Sequence, residues 1–189
     1  MDTPTPAKQP APGPLGEVQA FVNSRDEEAG RDDLAGTDSA TTWLRGRDVP
    51  LGGPISETER QHLVDVREAL REVLATHDGH AADPGAGRHL DRLLVDVPLH
   101  PRVSAEGVTL VPGGRGVDAY LATLAIAIIE ATIVGTWQRL KVCRLTTCRW
   151  AFYDHTKNAG GAWCSMRACG SRAKARAYRA RRVAAPTGS

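Results

Sequence analysis

The chemistry in this sequence sits in its cysteines. All four fall within 27 residues and in two equal pairs, Cys143-x4-Cys148 and then, after fifteen residues, Cys164-x4-Cys169. Two close pairs joined by a mid-length spacer suit a tetrahedral thiolate site. Each pair forms a knuckle, and the spacer lets the second fold back on the first. Thiolates are soft ligands, and a site with no vacant position and no redox task suits one structural Zn2+. Buried free thiols or two disulfides are the competing readings. Neither explains why a chain of 189 residues keeps every cysteine in two matched pairs. His155, in the spacer, is an alternative ligand at an irregular position.

The same spacer carries Trp150, Phe152 and Tyr153, and Trp163 stands just before Cys164. These rings are expected to form the mini-core of a module too small to fold without its metal. In a different reading, Trp150 or Tyr153 stacks on an exposed base of RNA. After Cys169, Gly170 is expected to turn the chain and Ser171 to cap a helix. Ala173, Ala177, Ala180 and Ala184 recur at i, i+4, i+7 and i+11, a narrow face expected to dock closely on the zinc module. That placement leaves Arg172, Lys174, Arg176, Arg179, Arg181 and Arg182 on the exposed side.

Solvated helices usually alternate charge sign to gain i,i+4 pairs, whereas this one has no acid. Its bases repel one another until a polyanion neutralises them. Arginine also forks onto phosphate or onto guanine O6 and N7. The expected partner is therefore a nucleic acid, with an acidic protein surface as the alternative. The first reading is double-stranded DNA, with these six residues on phosphates and one or two of them reading bases. About six phosphate contacts would give log K against log salt a slope near −5.

The wider charge pattern agrees. Residues 141–182 hold eleven Lys/Arg against Asp154 as their sole acid, so they carry +10, while the rest of the chain sums to −8. The formal net charge of +2 conceals this split, which implies two parts with different partners.

The elements that must position these groups follow from pattern. Residues 1–16 are proline-rich and read as a disordered tail without the apolar core of a secretory signal. Residues 17–24 and 37–45 read as short helices. Ser56 and Glu59 form a capping box ahead of a helix striped by Leu63, Val66, Leu70, Val73 and Leu74. A polar, glycine-rich loop is expected over 77–87 and a short helix over 88–95. Residues 102–111 read as a β-hairpin turning at Gly107.

Asp118 is expected to cap a long helix running to about Leu140. It is apolar nearly all round, as the centre of a bundle would be, with burial against a second copy as the alternative. Its apolar run, 119–134, is broken by Thr123, Glu130 and Thr132 and is shorter than the roughly 20 residues a bilayer needs. No membrane association is expected, and a cytoplasmic location follows, where paired cysteines mean metal. The fold class is mainly α with a small β-hairpin. The chain divides into a helical domain over 17–140, a treble-clef-like zinc module with its basic helix over 141–184, and a tail over 185–189.

The residues reached so far resemble a known family. Cys143-x4-Cys148-x-Trp150-x-Phe152-Tyr153-Asp154, then Trp163-Cys164-Ser165-Met166, then Cys169-Gly170-Ser171-Arg172-x-Lys174 resembles the CGNR zinc finger. One departure stands out: the signature Asn is Ser171 here. Upstream, Phe21-Val22-Asn23-Ser24-Arg25 resembles the opening of the ABATE domain that precedes such fingers, and Trp43-Leu44 and the helix around 66–71 fit its layout. The resemblance implies a stress-induced bacterial transcriptional regulator.

The acidic helical part would then sense a small-molecule effector, form a homodimer, or both. Asn23, Ser24 and Arg25 are the candidate lining of an effector pocket. No catalytic set is visible, because the histidines His62, His77, His80, His89, His100 and His155 stand in no ligand or nucleophile–base spacing, so no enzyme is expected. A different class of function is an adaptor whose basic helix docks on an acidic protein.

Overall fold

The computed structural model describes residues 9–78 and 85–184. Residues 1–8 and 185–189, which belong to the expected tails, and 79–84 of the expected 77–87 loop lie outside the described residues.

Helices α1 (Leu15–Val22), α2 (Thr37–Arg45), α3 (Glu57–Thr76), α4 (Ala86–Leu94) and α5 (Gly116–Ile133) precede the zinc module, which ends in α6 (Ser171–Ala184). Three two-stranded antiparallel ribbons interrupt them: β1 (Arg25–Asp26) with β2 (Arg31–Asp32), β3 (Leu99–Ser104) with β4 (Gly107–Pro112), and β5 (Leu140–Val142) with β6 (Ala151–Tyr153). The architecture is mainly helical, as the pattern predicts. The capping box forms as expected: the Ser56 side chain accepts from the Glu59 N–H while Glu59 accepts from the Ser56 N–H at 2.7 Å.

The core forms where α1, α3 and α5 meet. Val18, Phe21 and Val22 of α1, Leu63 and Leu70 of α3, and Leu121 and Leu124 of α5 are buried there. The rings of Phe21, Trp43 and Tyr120 meet pairwise at 5.6 to 5.9 Å, tilted or edge-on. Of the expected α3 stripe only Val73 is incompletely covered. By length and composition α5 could cross a membrane, yet it packs on α1 and β4.

Two expectations are corrected. The expected tail over 1–16 ends before Ala11, which is buried and donates its N–H to Gln19 Oε1 at 2.6 Å. Proline at the mouth of a helix needs no donor there, so Pro14 leads directly into α1.

Helix α5 stops at Ile133 and does not reach Leu140. Gly135 adopts φ +75°. Its N–H reaches Thr132 O while the Thr136 N–H reaches Ala131 O, the Schellman arrangement. A glycine in the left-handed region is what the terminator requires, and hydrophobicity alone does not reveal it.

The zinc module packs directly on the helices that precede it. Leu140, Val142 and Ala151 of the zinc module belong to the same buried cluster as α1, α3 and α5.

Two arginines on α3 are fully buried, which the sequence did not announce. Arg67 makes a bidentate pair with Asp32 at 2.6 and 3.0 Å and also binds Glu68. Arg71 binds Glu68 and donates to Val22 O at 2.5 Å. Burial works to raise the Asp32 carboxyl, but the Arg67 hydrogen bonds and charge outweigh it and hold the group below its usual range. Together these contacts fix the β1–β2 ribbon to α3.

Candidate zinc centre and nucleic-acid interface

Strand β5 delivers Cys143 to the first knuckle. The ladder continues one step, with the Cys143 N–H donating to Trp150 O at 2.9 Å. The knuckle closes as the N–H groups of Cys148 and Arg149 both donate to Leu145 O, with Arg149 at φ +48°. The Arg144 N–H then reaches Ala162 O at 3.1 Å, bringing the second half of the spacer back. Ser165 caps the second knuckle by accepting from the Ala168 N–H, and a π-turn (Met166–Gly170) leads into α6.

The four sulfurs lie within 4.8 Å of one another. Cys164 stands 3.6 Å from both Cys148 and Cys169. Tetrahedral thiolates about 2.3 Å from zinc are about 3.8 Å apart, so the set fits one structural Zn2+. The donor chemistry agrees. Hydrogen bonds from Cys148 and Cys164 pull the Cys143 thiol far below its usual range, while burial pushes Cys169 up. A shared dication would hold all four as thiolates. Leu145, Trp150 and Trp163 wrap the sulfurs, as a small module needs. His155 stands apart with its ring 4.8 Å from Tyr153.

A buried ion pair organises the spacer. Lys141 Nζ donates to Asp154 at 2.9 Å and to the carbonyls of Ala159 and Gly161. Asp154 also accepts from the Thr156 hydroxyl and from the N–H groups of Thr156 and Gly161. Lys141, one of the eleven bases, is therefore internal and absent from any polyanion surface.

Burial works to raise Asp154, but hydrogen bonds from Thr156 and Lys141 prevail and lower it to about 2. A depressed carboxyl contributes stability that is complete above its ordinary value near 4 and is lost as pH falls toward about 2. The Asp154→Asn variant is expected to lose most of this acid limb. Urea melts of both proteins in steps from pH 7 downward, with zinc content measured in each sample and the two compared only where both keep their metal, would check it. Parallel pH profiles would remove the assigned role.

The α6 region differs from expectation in two respects. Gly170 closes the π-turn, but Ser171 is no cap, because that turn runs on into α6 and Ser171 is already helical. Gly170 is needed for proximity: a Cβ there would come within 2.7 Å of Met166 Sδ and 3.3 Å of the Trp163 ring. Ala177 and Ala180 also do not dock on the zinc module. Ala173 is half-buried, and every residue over 174–182 is exposed, Ala177 and Ala180 included. The helix projects from the module, so Lys174, Arg176, Arg179, Arg181 and Arg182 all reach solvent.

Arg172 is exposed too, but pairs with Glu28 on the β1–β2 turn at 2.5 Å. Two more module bases face acids of the helical domain, Arg144 on Asp78 at 2.7 Å and Arg149 on Glu72. The charge split is thus partly answered inside the molecule, which charge counting could not show.

Asn23, Ser24 and Arg25 line neither concavity described below; Asn23 and Ser24 are buried and hydrogen-bonded. The Asn23 amide spans the two parts of the chain, with its Nδ2 donating to Ala151 O at 2.9 Å and its Oδ1 accepting from the Ala151 N–H at 2.8 Å. It acts as a one-residue strand partner on the edge of β6. Gln19 reinforces it by donating to the same carbonyl at 3.2 Å. Ser24 is buried and accepts from Arg67, and Arg25 is exposed. A polar triplet after an apolar segment signals only that something is hydrogen-bonded there, not what.

Asn23→Ala would leave a buried N–H and a buried C=O of β6 with reduced or no pairing, at roughly 1–3 kcal/mol for each orphaned group. A loss of about 2–4 kcal/mol in urea denaturation, with zinc content unchanged, is expected. A loss within experimental error would mean the clamp is not stabilising.

A groove of about 470 Å³ opens beside the metal site, lined by Phe152, Tyr153, His155, Trp163 and Met166 among others. In the helical domain a concavity of about 330 Å³ is lined by Glu17, Arg47, Tyr120 and neighbouring apolar groups.

Residues 18–134 match the ABATE family, described as "Putative stress-induced transcription regulator". Residues 139–182 match the CGNR zinc finger. No curated protein matches the chain.

Proposed function

Because the chain belongs to the ABATE family and carries a CGNR zinc finger after that domain, we propose that this regulatory zinc-binding protein is a transcription regulator that binds double-stranded DNA through α6. The observation that supports this reading best is the exposure of α6, a helix bearing six Lys/Arg and no acid. Such a surface is electrostatically unsatisfied until it meets a polyanion. The zinc site holds the π-turn that aims the helix. The role is binding, with no catalytic step, in the cytoplasm.

The helical domain is the regulatory half. The place in it for a small effector is the concavity at Glu17, Arg47 and Tyr120 rather than the Asn23 region. Its volume is in the range of small-molecule sites and it combines a charged pair with an apolar wall. The Asn23 clamp and the three ion pairs to the module would carry a change there to α6.

Selection of zinc-loaded protein on a random duplex library at near-physiological salt tests the proposal. An enriched motif would support a sequence-specific regulator, and a palindrome within it would add a homodimer. Tight, salt-sensitive binding without enrichment would reduce the role to non-specific association. Absence of duplex binding would overturn the reading in favour of an adaptor for an acidic protein. Preference for single strands would favour RNA stacked in the Tyr153 and Trp163 groove.

A further inference from the structure

The four metal-site cysteines are not equally enclosed. Cys143, Cys148 and Cys169 are 2%, 3% and 2% exposed, whereas Cys164 is only half-buried. The groove of about 470 Å³ beside the metal site is lined by Cys164 and by none of the other three. Its chain neighbours Gly161, Ala162, Trp163 and Met166 line the groove with it. One member of an otherwise sealed thiolate cluster is thus open to a molecule a few atoms in size.

Cys164 also stands between two partners, with its sulfur 3.6 Å from both Cys148 and Cys169. A disulfide needs about 2.05 Å, so a side-chain adjustment of about 1.5 Å closes either pair. An accessible thiolate with a second thiolate beside it is the arrangement that oxidises reversibly.

We propose that Cys164 is an oxidation site: a hydroperoxide enters by the groove and oxidises it, and Cys148 or Cys169 resolves the product with loss of the metal. With hydrogen peroxide, the Cys164 thiolate attacks one oxygen, an S–O bond forms and the O–O bond breaks. Hydroxide leaves and takes up a proton to become water. The sulfur loses two electrons to the peroxide and becomes a sulfenic acid. The thiolate of Cys148 or Cys169 then attacks that sulfur. An S–S bond forms, and the hydroxide expelled takes up a proton as a second water. Two thiolates remain, which is half of a closed tetrahedral set, and Zn2+ departs.

The consequence for function rests on the DNA-binding proposal above. Cys169 lies in the π-turn that runs on into α6, so losing the metal frees the turn that aims the bases. Oxidation then lowers duplex affinity, and reductant with Zn2+ restores it.

The test treats full-length, zinc-loaded protein with hydrogen peroxide in steps, one series containing dimedone to trap sulfenic acid. A chromophoric indicator follows released zinc, and peptide mass spectrometry maps the cysteines. Dimedone is expected on Cys164 before any other cysteine. Without dimedone, one Zn2+ should be released per disulfide, and that disulfide should join Cys164 to Cys148 or Cys169. Met166 lines the same groove and is 58% exposed, so it is the competing target. Met166→Leu conserves volume and should release zinc within about twofold of the wild-type rate.

First labelling at another cysteine, or zinc release that requires Met166, would overturn the site. So would retention of zinc at a peroxide excess that oxidises Met166. None of these readouts involves DNA. If wild-type protein binds no duplex, the functional reading fails while the oxidation site stands. If oxidised, zinc-free protein binds duplex as tightly as the loaded form, the link to α6 fails.

Discussion

Removing the zinc is expected to unfold the C-terminal module and to lower the melting temperature of the whole chain. Structural Zn2+ contributes on the order of 10–16 kcal/mol to zinc-finger folding at neutral pH. That is as large as the entire stability of an ordinary domain, about 5–15 kcal/mol. The module has little else to hold it, since its own cluster is Leu145, Trp150, Trp163 and the cysteines. The consequence reaches further because Leu140, Val142 and Ala151 lie in the main core, and because Asn23 and Gln19 hydrogen-bond Ala151.

Excess chelator under reducing conditions, or Cys164→Ser, should therefore abolish the near-ultraviolet signal of Trp150 and Trp163. Either should also shift the thermal transition of the helical domain downward. If chelated protein melts within a few degrees of the zinc-loaded form and keeps its tryptophan signal, the metal is not structural.

The second large effect is expected at α6. Arg176→Ala/Arg179→Ala removes two exposed bases from α6 while leaving the metal site, the Asn23 clamp and the core untouched. Each lost phosphate contact should reduce the salt slope by about 1, so the double variant should show a slope smaller by about 2. Its affinity for duplex DNA at matched salt should fall on the order of 10- to 100-fold, uniformly across sequences if the contacts are to phosphate. Zinc content should not change. Anisotropy titrations at several salt concentrations, with metal analysis of the same samples, provide both quantities. Binding as tight as wild type at every salt concentration would exclude α6 as the contact surface.

Chemistry that depends on residue type at fixed spacing was determined by the sequence alone. Two Cys-x4-Cys pairs can satisfy a tetrahedral soft metal in one way, so the ligand set was legible without coordinates. The capping box at Ser56 and Glu59, the α2 and α3 helices and the β3–β4 hairpin were legible for the same reason, because their signals lie within a few residues of one another. The acid-free character of α6 could be read by counting.

Only the tertiary structure decided where long-range partners fell. Asn23 looks like any polar residue after a helix until β6 arrives 128 positions later to use both ends of its amide. Arg67 and Arg71 occupy helix positions that solvent-facing arginines also occupy. Their burial depends on Asp32 and Val22 being brought against α3. Lys141 was counted with the surface bases because nothing local distinguishes it, yet Asp154 and two loop carbonyls enclose it.

The alanine face of α6 was misread in the opposite sense, since a small-residue stripe is equally suited to intramolecular docking and to a surface left open. Periodicity states which residues share a side of a helix. What covers that side depends on the path of the rest of the chain.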